Sequence, residues 1–322
     1  MNFSTPKRKR KKFSAIITWL IGDPVEHSVS DLMFGYFAQK TGLQNYIHQK
    51  LRVPAEKKYN LKIALQAMKI FGIRGANITL PYKSQVIEFL DVLDERAKVI
   101  GAVNTVVNKK GFLFGLNTDE YGAIRAIESK LRKVKNTDKV VIFGAGGAAR
   151  AIIFGLLRKT PHIVVVNRTI NSSRTNRLNS DIKRQGFRIK IIPLTKRNIL
   201  ESVQWANFVI NATPVGMYPA VNNSLISVDL FKKINKRSSL KDKFFFDVVF
   251  NPVFTKFLSF PNKIYKAKVC SGLYMMIYQG IQAFEIWTGK QIPERMVREV
   301  FFLLEKEIEN RFLKRSRERG SK

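Results

Sequence analysis

Cysteine is almost absent. The single Cys270 in 322 residues leaves no partner for an internal disulfide and no thiolate cage for zinc. That scarcity suits a reducing compartment, so a cytoplasmic protein is expected. Histidine is nearly as rare. His27, His48 and His162 form no obvious pairing, and His162, at the head of a strand, reads as structural. No run of about 18 apolar residues occurs, so no membrane span is expected. The apolar stretch near Ile16–Ile21 follows basic residues, but it is too short for a secretory signal and lacks a small-residue cleavage site. Acids are scarce too: 24 Asp and Glu stand against 57 Lys and Arg, a net charge of +33. Residues 1–12 and 313–322 read as basic tails, yet most of the excess is spread through the chain. A nucleic-acid binder concentrates its charge on one face, so the spread reads as compositional bias, in a chain also rich in Asn, Ile and Phe. A nucleic-acid-binding α/β protein stays open as the rival class. The diffuse positive field draws small anions.

What is present is a regular alternation of strands and helices. Apolar strands are expected at 14–21, 45–53 and 75–80, with helices at 30–41 and 61–71 closed by Gly42 and Gly72. A helix-like piece follows at 88–95, then a short hairpin over 102–115 around Lys109-Lys110. This pattern predicts a largely parallel α/β sheet. A second rhythm begins near residue 138: strand 139–143, glycine-rich turn, helix 149–158 and strand 162–167, one βαβ unit. Further strands are expected at 188–192, 208–211 and 244–248. Apolar helices at 273–288 and about 293–312 are expected to return to the first domain. At 322 residues two domains are natural. We place an α/β domain at 13–120, a Rossmann-like domain at 121–270 and the returning helices at 271–312.

The string GAGGAARA at 144–151 fits the dinucleotide fingerprint in its Gly-x-Gly-x-x-Ala form. Gly144 permits the tight turn, Gly146 lets the backbone approach a pyrophosphate, and Ala149 lets the helix lie close to its strand. Gly144, Ala145, Gly146, Gly147 and Ala148 are the candidate cofactor-binding residues here, at a helix N-terminus suited to phosphate. The second strand ends in Asn167-Arg168-Thr169, where an NAD enzyme would place an acid for the ribose hydroxyls. A guanidinium there stacks on adenine and neutralises a 2′-phosphate, which favours NADP. The alternatives are a glycine turn without a ligand and a solvated arginine.

Reversible proton donation to a ketone needs a group at hydrogen-bond distance from its oxygen. Lys83 and Asp119 each lie in an expected loop at a strand end, where α/β sheets place their chemistry. Taken singly, each would be an ordinary surface charge.

Nine motifs stand in one order: GDPVEHSVS at 22–30, GANITLPYK at 75–83, GAVNTV at 101–106, GLNTD at 115–119, GAGGAARA, NRT at 167–169, NATPVGM at 211–217, DVVFNP at 247–252 and GLYMMIYQG at 272–280. On these, the chain resembles the shikimate dehydrogenase family over roughly residues 15–310. The resemblance implies NADPH-dependent, reversible reduction of 3-dehydroshikimate to shikimate, in the biosynthesis of aromatic amino acids. It implies that Ser28 and Ser30 bind the substrate carboxylate, and that Thr79, Asn104 and Gln279 hold the ring hydroxyls. Lys83 and Asp119 would be the catalytic pair, Lys83 as acid/base and Asp119 orienting it. Gly272 and Met275 would lie at the nicotinamide, with Gly216 beside it; plain helix packing is the alternative for Met275 and Gln279. The expected partner is the small-molecule substrate, with the protein a monomer or homodimer.

The pattern has departures. Asp31 stands where the family commonly has Pro, Phe34 where it often has His, and Phe250 where the later substrate motif usually has Tyr. Ser172 replaces a second basic residue often found after NRT, with Arg174 close by. The stretch from Asn251 to Lys290 also resembles the quinate/shikimate branch, which accepts a second acid and often uses NAD.

Overall fold

The computed structural model describes residues 15–57 and 59–320, with side chains through Arg311. The basic segment expected at 1–12 lies outside the described residues. Six strands form a first sheet: β1 (Ile16–Gly22), β2 (Tyr46–Arg52), β3 (Gly75–Ile78), β4 (Val92–Leu93), β5 (Thr105–Lys109) and β6 (Phe112–Leu116). Helices α1 (Ser30–Lys40), α2 (Tyr59–Ile70) and α3 (Glu95–Ile100) connect them, and α4 (Asp119–Lys130) leads out. Their order is β2-β1-β3-β5-β6-β4. β1 runs parallel to β2 and β3, but β5 is antiparallel to both β3 and β6. β4 pairs with β6 in parallel, so the sheet is largely parallel as expected, with β5 alone reversed. The cause is the β5–β6 hairpin, whose turn residues Lys110 (φ 54) and Gly111 (φ 88) are both left-handed, as a two-residue hairpin loop requires.

The second sheet comprises β7 (Val140–Phe143), β8 (Ile163–Asn167), β9 (Lys190–Pro193), β10 (Phe208–Asn211), β11 (Phe244–Asp247) and β12 (Lys268–Ser271). Every pairing in it is parallel. Around it lie α5 (Gly147–Leu157), α6 (Ser173–Arg184), α7 (Lys196–Trp205), α8 (Val228–Arg237) and α9 (Lys256–Tyr265). The order β12-β11-β10-β7-β8-β9 is the doubly wound 3-2-1-4-5-6 arrangement counted from β7. Its direction reverses between β7 and β10, so a crevice opens beyond their carboxyl ends. The central strands are Val-Val-Ile-Phe and Phe-Val-Ile-Asn, buried throughout, as strands covered on both faces must be.

Two helices close the chain, α10 (Gly272–Thr288) and α11 (Arg295–Gly320). α10 returns to lie along α4 and touches α1, α11 and β5. Gly122 makes the first contact close: a Cβ there would stand 2.7 Å from Met275 O and 2.8 Å from Gln279 N. At the far end of α10, Trp287 donates its Nε1–H to Val106 O at 3.0 Å. One buried apolar cluster fills this seam, from Phe34 and Phe37 through Ala123 and Ala126 to Ile152 and Phe284. Separate clusters line the outer face of each sheet. Among the described residues no helix is long and apolar enough to cross a membrane.

Three expectations need correcting. The helix-like piece at 88–95 is instead a 3₁₀ turn (Gln85–Phe89), the two-residue β4, and the start of α3. Asp91 accepts from Leu113 N at 2.7 Å, and Asp94 caps α3 by accepting from Arg96 N and Ala97 N, so both acids divert the backbone from one continuous helix. Asp119 is the first residue of α4, not a loop residue. The last helix continues to Gly320, through most of the segment expected to be a basic tail.

Gly75 offers a test of how α10 is held. An added Cβ would stand 2.0 Å from Trp287 Nε1. Gly75→Ala should therefore lower stability by about 1–3 kcal/mol, as overpacking does. Urea unfolding measures it, and an unchanged midpoint would contradict this packing.

Candidate active site

A cavity of about 240 Å³ lies between the two sheets. Ser28, Ser30, Thr79, Lys83, Asn104 and Asp119 line it from the first sheet's side. Ala148, Val248 and Phe250 line it from the second, and α10 contributes Gly272, Met275 and Gln279. All seven residues expected to meet the substrate or its reacting oxygen thus share one space with the last residue of the glycine turn.

At its centre Lys83 Nζ donates to Asp119 Oδ2 at 2.5 Å. The lysine side chain is 24% exposed and the aspartate side chain 8%. Both residues line the cavity, the lysine with the more open side chain. Asp119 Oδ1 accepts from Asn104 Nδ2 at 2.9 Å. Its backbone N–H, the first of α4, donates to Asn117 Oδ1 at 3.1 Å, and the helix N-terminus favours its negative charge. Asn104 is fixed in turn: its Oδ1 accepts from Thr118 N at 2.7 Å, and its Nδ2 also reaches Gln279 Oε1 at 3.2 Å. Backbone bonds join the segments that carry these side chains. Val103 N donates to Lys83 O at 2.7 Å and Ile78 N to Asn104 O at 2.8 Å.

The serines form their own small unit. Ser28 Oγ donates to Ser30 Oγ at 3.0 Å and accepts from Ser30 N at 3.1 Å. Ser28 O accepts from Lys50 Nζ at 3.0 Å and from Arg311 Nη1 at 3.2 Å. Asp31, one of the departures, pairs with that lysine at 3.0 Å. Phe34, another, is wholly buried against His48 and Trp287 and belongs to the core. Burial pushes the His48 imidazole down to about 3, so it stays neutral and is no proton carrier at ordinary pH. Phe250 does line the cavity, so the missing hydroxyl is missing there.

The crevice of the second sheet is bordered by the glycine turn. Gly144 has φ 106, and a Cβ on it would stand 3.0 Å from Ala212 O. Gly146 caps α5 with no side-chain hydrogen bond, and Cβ atoms on Gly146 or Gly147 would meet open space. Ala149 is fully buried beneath. Backbone N–H groups at that helix start, open to a ligand, fit a pyrophosphate. Asn167 closes β8 and donates to Thr169 O at 2.8 Å, while Arg168 and Arg174 are exposed and make no ion pair among the described residues. Ser172 serves α6 instead, as a capping box with Thr175. Gly272 opens α10 so tightly against Val248 that a Cβ would lie 2.2 Å from its carbonyl oxygen.

Two residues here carried no expectation. Asp247, wholly buried at the end of β11, accepts from Asn211 Nδ2 at 2.9 Å, Val249 N at 3.0 Å and Thr255 Oγ1 at 2.6 Å. It ties the ends of β10 and β11 together beside the cavity wall at Val248. An acid ending the otherwise apolar strand Phe-Phe-Phe-Asp was the signal. Arg150, after the glycine turn, is also buried.

Fold and site define a two-lobed α/β scaffold of the nicotinamide-nucleotide dehydrogenase class. Its parts match three family descriptions in order: shikimate dehydrogenase substrate binding domain over residues 20–106, shikimate/quinate 5-dehydrogenase over 126–252 and shikimate 5′-dehydrogenase C-terminal domain over 272–300. The chain belongs to the shikimate dehydrogenase family. It is 37% identical over 276 residues to the shikimate dehydrogenase (NADP(+)) of Methanocaldococcus jannaschii, covering 84% of this chain and 90% of that one. Among solved structures it is similar to shikimate 5-dehydrogenase from Listeria monocytogenes in complex with shikimate and NAD, with 30% identity, TM-score 0.78, and 89% and 96% of the two chains covered. It is also similar to quinate dehydrogenase from Corynebacterium glutamicum in complex with NAD, with 30% identity, TM-score 0.76, and 90% and 99% covered.

Burial raises the Asp247 carboxyl from 3.8 to about 7, against the lowering effect of its three hydrogen bonds. The folded state then binds a proton that the unfolded chain has already lost. Stability from this group is full below about pH 4 and falls as pH rises through about 7. Asp247→Asn cannot titrate. Measured by urea unfolding, wild type should lose stability relative to this variant between about pH 4 and about pH 7 and level off above that. A difference independent of pH would contradict the raised carboxyl.

Proposed function

We propose that this protein catalyses the reversible, NADPH-dependent reduction of 3-dehydroshikimate to shikimate, a step of aromatic amino acid biosynthesis. The observation that carries the reading is the Lys83–Asp119 pair, opening into a cavity that also reaches Ala148 of the glycine turn and Met275. On this reading, residues 13–120 bind substrate, 121–270 bind NADP and 271–312 brace the first region. The protein acts in the cytoplasm as a monomer or homodimer.

The hydroxyls of Ser28 and Ser30 receive the ring acid's carboxylate, and Lys50 and Arg311 hold the Ser28 carbonyl in place. Thr79, Asn104 and Gln279 hold the ring hydroxyls. Asn104 and Gln279 partly satisfy each other at 3.2 Å, a bond they can exchange for substrate. Lys83 then meets the reacting oxygen. In reduction it donates a proton as negative charge gathers there, and in oxidation it takes the proton back. Asp119, with both oxygens already engaged, aims the ammonium and balances its charge. NADP, when bound, supplies or accepts the hydride. Gly144, Ala145, Gly146, Gly147 and Ala148 would hold its pyrophosphate, Asn167, Arg168 and Thr169 its 2′-phosphate, and Gly272, Met275 and Gly216 would serve its nicotinamide end. A cavity of about 240 Å³ suits a single carboxylated ring.

Absorbance at 340 nm tests the assignment. Purified protein with shikimate and NADP⁺ should generate NADPH, and Lys83→Ala should lose about 10²- to 10⁴-fold in kcat with a much smaller change in shikimate affinity. Absence of turnover with shikimate, or equal preference for quinate with NAD⁺, would overturn the reading. Near-normal turnover in Lys83→Ala would overturn the role given to the lysine. A separate expectation concerns cofactor choice. Arg168→Ala should raise KM for NADP⁺ by about 10- to 100-fold, the value of a charged hydrogen bond, and leave KM for NAD⁺ nearly unchanged. Equal losses with both cofactors would contradict a 2′-phosphate contact.

A further inference from the structure

Arg150 lies in the first turns of α5, three residues after Gly147, and has no part in the chemistry above. Its side chain is only 8% exposed and reaches across the seam. Nε donates to Ile100 O, Nη2 donates to Val99 O at 3.2 Å, and Asp181 of α6 fixes the same nitrogen at 2.6 Å. Val99 and Ile100 end α3, where carbonyls lack helical partners and the dipole favours a cation. Arg150 is therefore the C-terminal cap of a helix that belongs to the other sheet.

What α3 feeds makes the cap consequential. Gly101 turns left-handed at φ 69, and a Cβ on it would meet Arg150 Nη2 at 3.4 Å. Directly afterwards come the residues that tie the catalytic pair together. Ala102 O accepts from Asn117 Nδ2 at 2.9 Å, and Asn117 Oδ1 accepts the Asp119 N–H. Val103 N holds Lys83 O, and Asn104 holds Asp119 Oδ1. One guanidinium rooted beside the cofactor turn thus sets the end of the helix from which the substrate loop departs. Its bonds are charge-assisted and directional, so a shift of the first turn of α5 is passed on to that loop.

We propose that Arg150 is a positioning residue that links the two ligand seats. Dinucleotide bound at the glycine turn and hydroxy acid bound at Asn104 raise each other's affinity through it, by the same factor in both directions. The inference rests on the dehydrogenase reading above. Residues that only support the fold would alter stability or the separate affinities, but not the factor by which one ligand improves the other's binding.

Titration calorimetry on the full chain separates these outcomes. NADPH and shikimate, both reduced, form a non-reacting pair. Each is titrated alone and in the presence of the other. Wild type should show a mutual gain of at least about fivefold. Arg150→Met, which keeps bulk and loses the donors, should reduce that gain below about twofold, with each ligand's separate Kd within about threefold of wild type. Arg150→Lys, with charge and one donor retained, should fall between. A folded Met variant with the full gain overturns the proposal, and so does a wild type that binds both ligands independently. If Arg150→Met fails to fold, Arg150→Lys decides, and full coupling in it overturns the proposal. A wild type that binds neither ligand overturns the dehydrogenase reading itself.

Discussion

The short contact between an ammonium and a carboxylate, Lys83 Nζ to Asp119 Oδ2 at 2.5 Å, is the constraint around which both lobes are arranged. Two charges leave water only where each is answered, and removing either strands the other. Here the burial is unequal. The carboxylate is covered and has both oxygens engaged, one by the lysine and one by Asn104. The lysine side chain is three times as exposed as that of the aspartate, and both residues line the cavity. That asymmetry is what makes the lysine the mobile proton carrier and the aspartate the fixed partner in the mechanism proposed.

Keeping that contact in place is a task shared by backbone and packing. α4 presents Asp119 at its first residue, and α10 presents Gln279 opposite, because Gly122 lets their backbones nearly touch. A single apolar cluster joins α1, α4, α5 and α10, so the nucleotide turn and the substrate loops are set on one continuous seam. Catalysis by placed groups depends on such fixity, since small errors of position are costly to rate. The buried Asp247 does a parallel task on the opposite wall, where it joins the ends of β10 and β11.

How far the sequence discloses this depends on whether a residue's role is local. Gly144 was legible because its φ of 106 and its neighbour at 3.0 Å leave room for no side chain. The strands β7, β8, β10 and β11 were legible from their apolar runs, within a residue or two of their ends. Ser28, Ser30, Thr79, Lys83, Asn104, Asp119 and Gln279 come from motifs far apart in the chain and line one cavity. Asp91 and Asp94 were misread because periodicity counts apolar spacing and misses side chains that compete for backbone N–H groups. The β5–β6 hairpin was legible at its turn, but the antiparallel pairing of β5 with β3 is long-range and has no local signature. Arg150 was hidden among 57 basic residues: nothing in its neighbourhood says that this one turns inward.

The central claim is one of position: the reacting oxygen must rest against Lys83 while the dinucleotide occupies the glycine turn. A crystal structure of the chain with NADPH and shikimate measures it directly. The account predicts the ring oxygen nearest the nicotinamide at about 2.6–3.2 Å from Lys83 Nζ, with Asp119 behind. A ring bound with that oxygen turned away from Lys83, or outside the cavity lined by Ser28 and Gln279, would contradict it.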